Sequence, residues 1–381
     1  MAPRSPYAST PRGRPSGAAS QLDPSHRSSL VSPTGSWPDP ITRLSLVALA
    51  LFLAALAPAV LTAAPREAEP RVDPRQLSAL PSYVQRVEPA IVGLQVEVPH
   101  DRPSALTLGV ERWGSGVIFD AAGHVLTVSY IVLDAQRIEA TLRDGRKVPA
   151  RLVALDLEVG MGVVKLEGPG PWPMAALGDS SKVAAGDVVG TVGVSDDGRL
   201  STSAGRVDAV RPFSAAWEYM LDRAFVVSPY NPAFGGATLV DSAGAVIGVT
   251  SLRLGEAPYV NLAIPIEHFL PGKDELLAKG RVASRRPRPW LGLYTVSMEG
   301  GGIVVSGMSP VGPARAAGFR PGDVIVRLNG EKVDSQEAFY RKLWQGGVEQ
   351  EVQVVVQRDR GFEAITVRPI DRYRFYRMTG N

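Results

Sequence analysis

Residues 114–132, GSGVIFDAAGHVLTVSYIV, decide the fold class of this chain. Two short β runs, at 116–119 and 124–127, flank an Ala-Gly turn signal. Similar runs recur at 91–96 and 138–142, and the pattern continues to about residue 266. Many short strands with few helices indicate an all-β sandwich or barrel. The sequence therefore predicts a mainly β fold.

Length and composition set the outer bounds of the prediction. The 381 residues are enough for two or three domains. The net charge of +3 is too small, and the basic residues too scattered, to indicate binding to nucleic acid. Because the chain has no cysteine, disulfides, thiolate metal sites and a cysteine nucleophile are excluded. No motif predicts a metal ion or another cofactor.

The N-terminal part predicts a membrane segment. Residues 1–43 are rich in Ser, Pro, Arg and Gly, which predicts a disordered tail. Residues 44–64, LSLVALALFLAALAPAVLTAA, carry no charge and are long enough to cross a bilayer as a helix. A cleaved signal peptide is the alternative, but the long segment before the apolar run favours an uncleaved anchor. The excess of arginine before that run places the N-terminus in the cytoplasm.

Four stretches in one order carry a resemblance to a known family. Residues 114–132 resemble the HtrA/DegP pattern GSGxIxxxxGxILTNxHVV without a gap. Residues 177–189, LGDSSKVAAGDVV, residues 231–240, NPAFGGATLV, and residues 261–266, NLAIPI, resemble its later motifs. Residues 65–77 are polar and contain proline, which predicts a linker. The resemblance implies a trypsin-like domain at 78–270. That domain would consist of two six-stranded β-barrels with the active site in the cleft between them.

The chemistry of that family needs a serine, a histidine and a carboxylate. The resemblance places Tyr130 at the histidine position, Gly160 at the aspartate position and Gly235 at the serine position. Glycine offers no nucleophile, and a phenol is a poor general base at neutral pH. Asp156 and Glu158 read as solvated loop charges rather than as a relocated triad. We therefore expect no catalytic residues here and a chain that is not an enzyme.

The C-terminal part resembles a PDZ domain at residues 289–370. Residues 309–319, SPVGPARAAGF, and 320–330, RPGDVIVRLNG, carry the motif order of that domain. They predict a short helix ended by Gly318 and a tight turn at Asn329. Asp334 or Ser335 is expected to cap the next helix.

The four residues Trp290, Leu291, Gly292 and Leu293 resemble the carboxylate-binding loop of such a domain. In PDZ domains a peptide adds as an extra strand, and its C-terminal carboxylate is held by backbone amides. The resemblance therefore implies that this loop binds peptide or protein C-termini. The alternative is a domain that only packs against the barrel or against a neighbouring subunit.

These observations predict a bacterial inner-membrane protein with its folded domains in the periplasm. We expect a pseudoprotease that acts as a peptide- or protein-binding adaptor or regulator. An active serine endopeptidase with a non-standard site and an architectural subunit of a membrane complex remain the alternatives. The resemblance to HtrA proteases also implies a homotrimer, with Tyr83 as a contact. Residues 271–288 are expected to be a linker, and the tail at 371–381 has no assigned role.

Overall fold

The computed structural model describes residues 82–298, 301–359 and 361–376. The expected tail, membrane segment and first linker, at residues 1–77, lie outside these ranges. Within the described ranges, no helix is both long enough and apolar enough to span a bilayer. The part of the expected C-terminal tail beyond residue 376 also lies outside the description.

The first barrel is formed by six antiparallel strands that close in the order β1-β2-β3-β6-β5-β4. Alternate residues of its first strand point inward, so that Leu94 and Val96 are buried while Gln95 and Glu97 are exposed. The elements of this part are α1 Ser82–Val87, a 3₁₀ turn Glu88–Ala90, β1 Ile91–Glu97, α2 Ala105–Leu108, β2 Glu111–Ile118, β3 His124–Val128, α3 Ser129–Val132, β4 Arg137–Thr141, β5 Lys147–Asp156 and β6 Met161–Leu166.

The second barrel closes in the order β10-β11-β12-β9-β8-β7. Two of its strands form a long hairpin that pairs as far as Ala215 and Tyr219. The elements are a 3₁₀ turn Ser180–Lys182, β7 Val188–Val194, β8 Leu200–Ala215, β9 Tyr219–Ser228, β10 Thr238–Val240, β11 Val246–Leu254, β12 Val260–Pro265, 3₁₀ turns Ile266–His268 and Leu270–Gly272, and α4 Lys273–Lys279. The mainly β architecture expected from the sequence is confirmed.

The C-terminal part is a smaller sheet in the order β14-β15-β16-β18-β19, with β17 paired to β16. Gly318, at a φ of 95°, ends the first helix, and Ser335 caps the second by accepting from the Ala338 amide, both as expected. The elements are β13 Pro289–Trp290, β14 Leu293–Ser297, β15 Ile303–Met308, α5 Pro313–Ala317, β16 Val324–Leu328, β17 Glu331–Lys332, α6 Gln336–Gln345, β18 Val352–Arg358, β19 Gly361–Val367, β20 Ile370–Asp371 and a 3₁₀ turn Arg372–Arg374.

The hydrophobic cores follow these sheets, except that one side chain of the second barrel is buried in the core of the C-terminal sheet. Met220 of β9 belongs to the second barrel by hydrogen bonding, but it is buried in the core of the C-terminal sheet beside Leu291 and Leu293. Tyr83, the expected trimer contact, packs partly buried against the main core of its own chain. The β8–β9 hairpin is therefore shared between the barrel and the C-terminal sheet.

Candidate functional site

The three positions assigned to the triad come together in the structure. A Cβ atom at Gly235 would lie 3.3 Å from the hydroxyl oxygen of Tyr130. The amide of Ser129, the neighbour of Tyr130, donates to the carbonyl of Gly160 at 2.8 Å. Positions 130, 160 and 235 thus lie around one point, although they are far apart in the sequence.

Tyr130 connects the two barrels rather than facing an open cleft. Its hydroxyl donates to the Ser251 carbonyl of β11 at 2.8 Å, and its own carbonyl accepts from Arg112 at 2.9 Å. Burial raises the pKa of Tyr130 above its usual value. At neutral pH this phenol therefore acts as a hydrogen-bond donor, which suits a structural bridge.

The polar groups of the loop at 231–237 bond to one another and to neighbouring strands. The buried side chain of Asn231 accepts from the Ala233 amide at 3.0 Å, and the backbone amide of Asn231 donates to the side-chain oxygen of Asn261 at 2.7 Å. The carbonyl of Gly235 accepts from the Ser115 amide at 2.8 Å. An oxyanion hole at this loop would use the amides at positions 233 and 235. One of these two amides already has a partner inside the loop.

Gly160 lies at a φ of 83°, in the left-handed region that favours glycine. A Cβ there would lie 3.0 Å from the hydroxyl oxygen of Tyr219. That hydroxyl donates to the Val159 carbonyl at 2.7 Å. The first residue of β9 therefore fixes the loop that carries position 160.

Asp156 and Glu158 are 1% and 3% exposed, so the expectation that they are solvated loop charges is wrong. Arg285 binds both oxygens of Asp156 at 2.7 and 2.8 Å. Arg288 lies with its Nε 2.7 Å from Glu158 Oε2, as an ion pair rather than an aligned hydrogen bond. The partners of both carboxylates lie about 130 residues further along the chain. Sequence patterns around residues 156–158 therefore do not predict these ion pairs.

The segment after the last strand closes over the same loop. The Arg372 guanidinium donates to the Leu157 carbonyl, and the Leu157 amide donates to the Tyr373 hydroxyl at 2.9 Å. Residues 372 and 373 belong to the C-terminal tail at 371–381, for which the sequence analysis assigns no role. Their basic and aromatic composition was the only signal for a contact.

The expected carboxylate-binding loop does hold a carboxylate, and it belongs to the chain itself. The amides of Leu291 and Leu293 donate to the two side-chain oxygens of Glu218 at 3.0 and 2.7 Å. Trp290 precedes them in β13, and Gly292 has a φ of 78° with only 2.7 Å between its Cβ position and Gly312. The loop therefore has the backbone shape that presents its amides to an acceptor.

Glu218 is the site residue that the sequence did not indicate. It is 2% exposed, and burial raises its pKa to about 7, while hydrogen bonds from Leu291 and Leu293 and the charge of Arg372 oppose that rise. A lone glutamate in a turn carries no motif. Its role follows only from the proximity of residues about 75 positions apart.

Known proteins with this arrangement support the same division of the chain. A model of the trypsin-like peptidase domain matches residues 114–249, and a model of the PDZ domain matches residues 289–368. The chain therefore combines a trypsin-like peptidase domain with a PDZ domain.

Individual relatives narrow this class further. "Putative protease Do-like 14" of Arabidopsis thaliana is 30% identical to this chain, and the match covers 75% of this chain and 69% of that relative. "Probable periplasmic serine endoprotease DegP-like" of Halomonas elongata is 29% identical over 67% of this chain, which spans only 55% of that relative. A solved HtrA-type protease with a tripeptide, a variant of AlgW, has 25% identity and a TM-score of 0.50, covering 76% of this chain and 96% of its own. This chain belongs to the HtrA/DegP family of serine proteases.

The relatives correct one expectation. The replacements at Tyr130, Gly160 and Gly235 led us to expect a chain that is not an enzyme. The relatives, however, are named as proteases and serine endoproteases, and the solved structure is of an HtrA-type protease. Membership in this family contradicts the conclusion that the chain is not an enzyme.

Proposed function

We propose that this member of the family recognises peptide or protein C-termini through its PDZ loop and acts as an adaptor or regulator. One observation carries the proposal: the amides of Leu291 and Leu293 bind a carboxylate, that of Glu218. A C-terminal carboxylate presents the same two oxygens to the same donors. The solved relative with a tripeptide adds support from outside this chain.

The proposal is tested with labelled hexapeptides that end in valine, leucine or phenylalanine, as free acids and as C-terminal amides. Fluorescence anisotropy with the full chain is expected to show tighter binding of the acids. Gly292→Ala should remove that preference, because the added Cβ would approach Gly312 to 2.7 Å. Gly330→Ala is the matched control, since Gly330 also has a positive φ, of 81°, but has nothing within 4 Å. Equal affinity for acids and amides would contradict the proposal.

We also propose a place for the protein in the cell. Residues 44–64 would anchor it in the inner membrane of a bacterium, with the N-terminus in the cytoplasm and the folded domains in the periplasm. The uncharged run and the arginine-rich segment before it support this orientation. Resistance to alkaline extraction of membranes, and digestion of the folded domains by protease added to spheroplasts, are the expected results. Release by alkali would exclude the anchor.

The names of the relatives favour peptide-bond hydrolysis as a second function. It would need a nucleophile other than a side chain at Gly235. Cleavage of casein by the purified chain, absent from a mock preparation, would establish this function. Labelling by a fluorophosphonate would identify a serine nucleophile, and intact casein without labelling would exclude the serine mechanism.

A further inference from the structure

The turn between β8 and β9 lies in the groove where a peptide would add to the PDZ sheet. The Thr295 amide of β14 donates to the Ala216 carbonyl at 2.9 Å. From the helix on the other side, the Tyr340 hydroxyl of α6 lies 2.7 Å from the Ala215 carbonyl and 3.1 Å from that of Ala216. The turn therefore contacts both walls of the groove, and its main chain bonds to the edge strand as an added peptide would.

The acidic end of this turn completes the likeness to a bound peptide. Glu218 follows Ala216 by two residues, and its carboxylate lies in the loop formed by Leu291 and Leu293. The Glu218 amide in turn donates to the Tyr340 hydroxyl at 3.2 Å. One short segment thus supplies both a main-chain bond to the strand and a carboxylate to the loop.

The backbone at Glu218 is in a conformation that this residue type rarely adopts. Its φ is 55°, in the left-handed region where glycine is favoured and a glutamate is strained. A glycine would fit this turn with less strain, but it would leave the loop amides without their acceptor. The strain is therefore offset by what the side chain does, namely the two hydrogen bonds to Leu291 and Leu293.

A neighbouring side chain anchors the turn at its base. Met220 is 3% exposed and packs in the core of the PDZ sheet, and its carbonyl accepts from Arg288 at 3.3 Å. The outer side is held more loosely, since Trp217 is 44% exposed and the Asp222–Arg341 ion pair lies at the surface. The tip of the turn can therefore leave the groove at less cost than the buried base.

We propose that the turn 215–218 is an internal ligand of the PDZ domain and that an external C-terminus binds by displacing Glu218 from the carboxylate loop. This inference rests on the proposed function, since it assigns the regulation of the same loop. The external ligand is a peptide with a free carboxylate, because only that group can replace both hydrogen bonds at once. The loop is closed in the unliganded chain and opens in proportion to the concentration and affinity of the competing C-terminus.

The size of the effect follows from competition. The apparent dissociation constant of a peptide equals its intrinsic value divided by the fraction of molecules with an open loop. Each hydrogen bond to a charged group contributes enough to change that fraction by about tenfold or more. Loss of the Glu218 carboxylate should therefore tighten peptide binding about tenfold to a hundredfold.

The test compares the full chain with the variants Glu218→Gly and Glu218→Ala. Glu218→Gly suits the positive φ and therefore keeps the turn, while Glu218→Ala removes the carboxylate without adding flexibility. Glu256→Gly, at an exposed glutamate in another turn, is the matched control. The same labelled hexapeptide acids and amides serve as probes. The free acids are expected to bind both Glu218 variants about tenfold or more tighter than the wild type or the control.

Hydrogen exchange provides a measurement that needs no peptide. The amides of Leu291 and Leu293 should be protected in the wild type and exchange at least about tenfold faster in both Glu218 variants. If protection is the same in all four proteins, Glu218 does not occupy the loop and the inference fails.

The binding results separate the inference from the proposed function. If wild type and variants bind the free acids equally and prefer them to the amides, the inference fails while the proposed function stands. If the Glu218 variants also bind acids no better than amides, the proposed function fails and the inference with it. Tighter, acid-selective binding by the variants alone supports both.

Discussion

Glu218 makes the stability of this protein depend on pH in a direction unusual for a carboxylate. Its pKa is about 7 in the folded chain, against 4.5 in the absence of burial. The native state therefore binds more protons than the unfolded state between these values, and stability falls as the pH rises through this window. The difference between 4.5 and about 7 corresponds to about 3 kcal/mol, which is present at pH 4.5 and lost above pH 7.

The groups that face Glu218 do not reverse this sign. Tyr340 on α6 and Tyr294 on β14 have pKa values raised by burial, so both stay neutral between pH 4.5 and 8. The guanidinium of Arg372 opposes the rise in the pKa of Glu218 without reversing it. The ionisation of Glu218 is thus the change that matters in this window.

Urea unfolding of the full chain in a mild detergent at pH 5 and pH 8 measures the effect. The wild type should lose about 2.5 kcal/mol more stability between these pH values than Glu218→Gly, in which the titrating group is absent. The Glu256→Gly control should follow the wild type, because that glutamate is exposed. Equal pH dependence in the wild type and in Glu218→Gly would refute the reasoning.

Three further predictions concern the trypsin-like part. Arg288→Ala should lower the free energy of unfolding by about 3 kcal/mol, because it leaves Glu158 buried without its ion-pair partner. The double variant Arg288→Met/Glu158→Gln should recover most of that loss. No recovery would show that the ion pair is not the cause. Gly160→Asp should lower the free energy of unfolding, measured with urea, by about 1–3 kcal/mol. The loss should exceed that of Gly145→Asp, because Gly145 has a similar φ but nothing within 4 Å. Equal losses would contradict the crowding at position 160. Gly235→Ser should leave the rate of casein hydrolysis at the wild-type value, because the facing tyrosine hydroxyl donates its hydrogen bond and cannot accept a proton, and a faster rate would contradict this geometry.

The sequence predicts the elements of this fold better than the contacts between them. The ends of α5 and α6, at Gly318 and Ser335, follow from local rules for backbone conformation and capping. Glu218 and Asp156 could not be predicted, because their partners lie about 75 and 129 residues away. An acidic side chain in a turn is predicted to be solvated unless a distant partner that covers it is known.

The positions assigned to the triad are also easier to predict than the contacts their side chains make. Aligned motifs are enough to bring Tyr130, Gly160 and Gly235 to one place, and the structure gathers them there. The motifs do not reveal that the Tyr130 hydroxyl already bonds to Ser251 or that Tyr219 fills the space beside position 160. Those contacts depend on the second barrel, whose strands follow later in the chain.

The closure of the Asp156–Gly160 loop by Tyr373 has a consequence for the order of folding during synthesis. The loop and its last partner are 216 residues apart. At 5–20 residues per second, the ribosome needs about 10 to 40 s to add that length of chain. The first barrel therefore emerges long before Arg285 and Arg288 can cover its carboxylates and before Arg372 can bind the Leu157 carbonyl. Until those residues have been synthesised, Asp156 and Glu158 lack these partners, and the loop can form all its native contacts only after Tyr373 has been added.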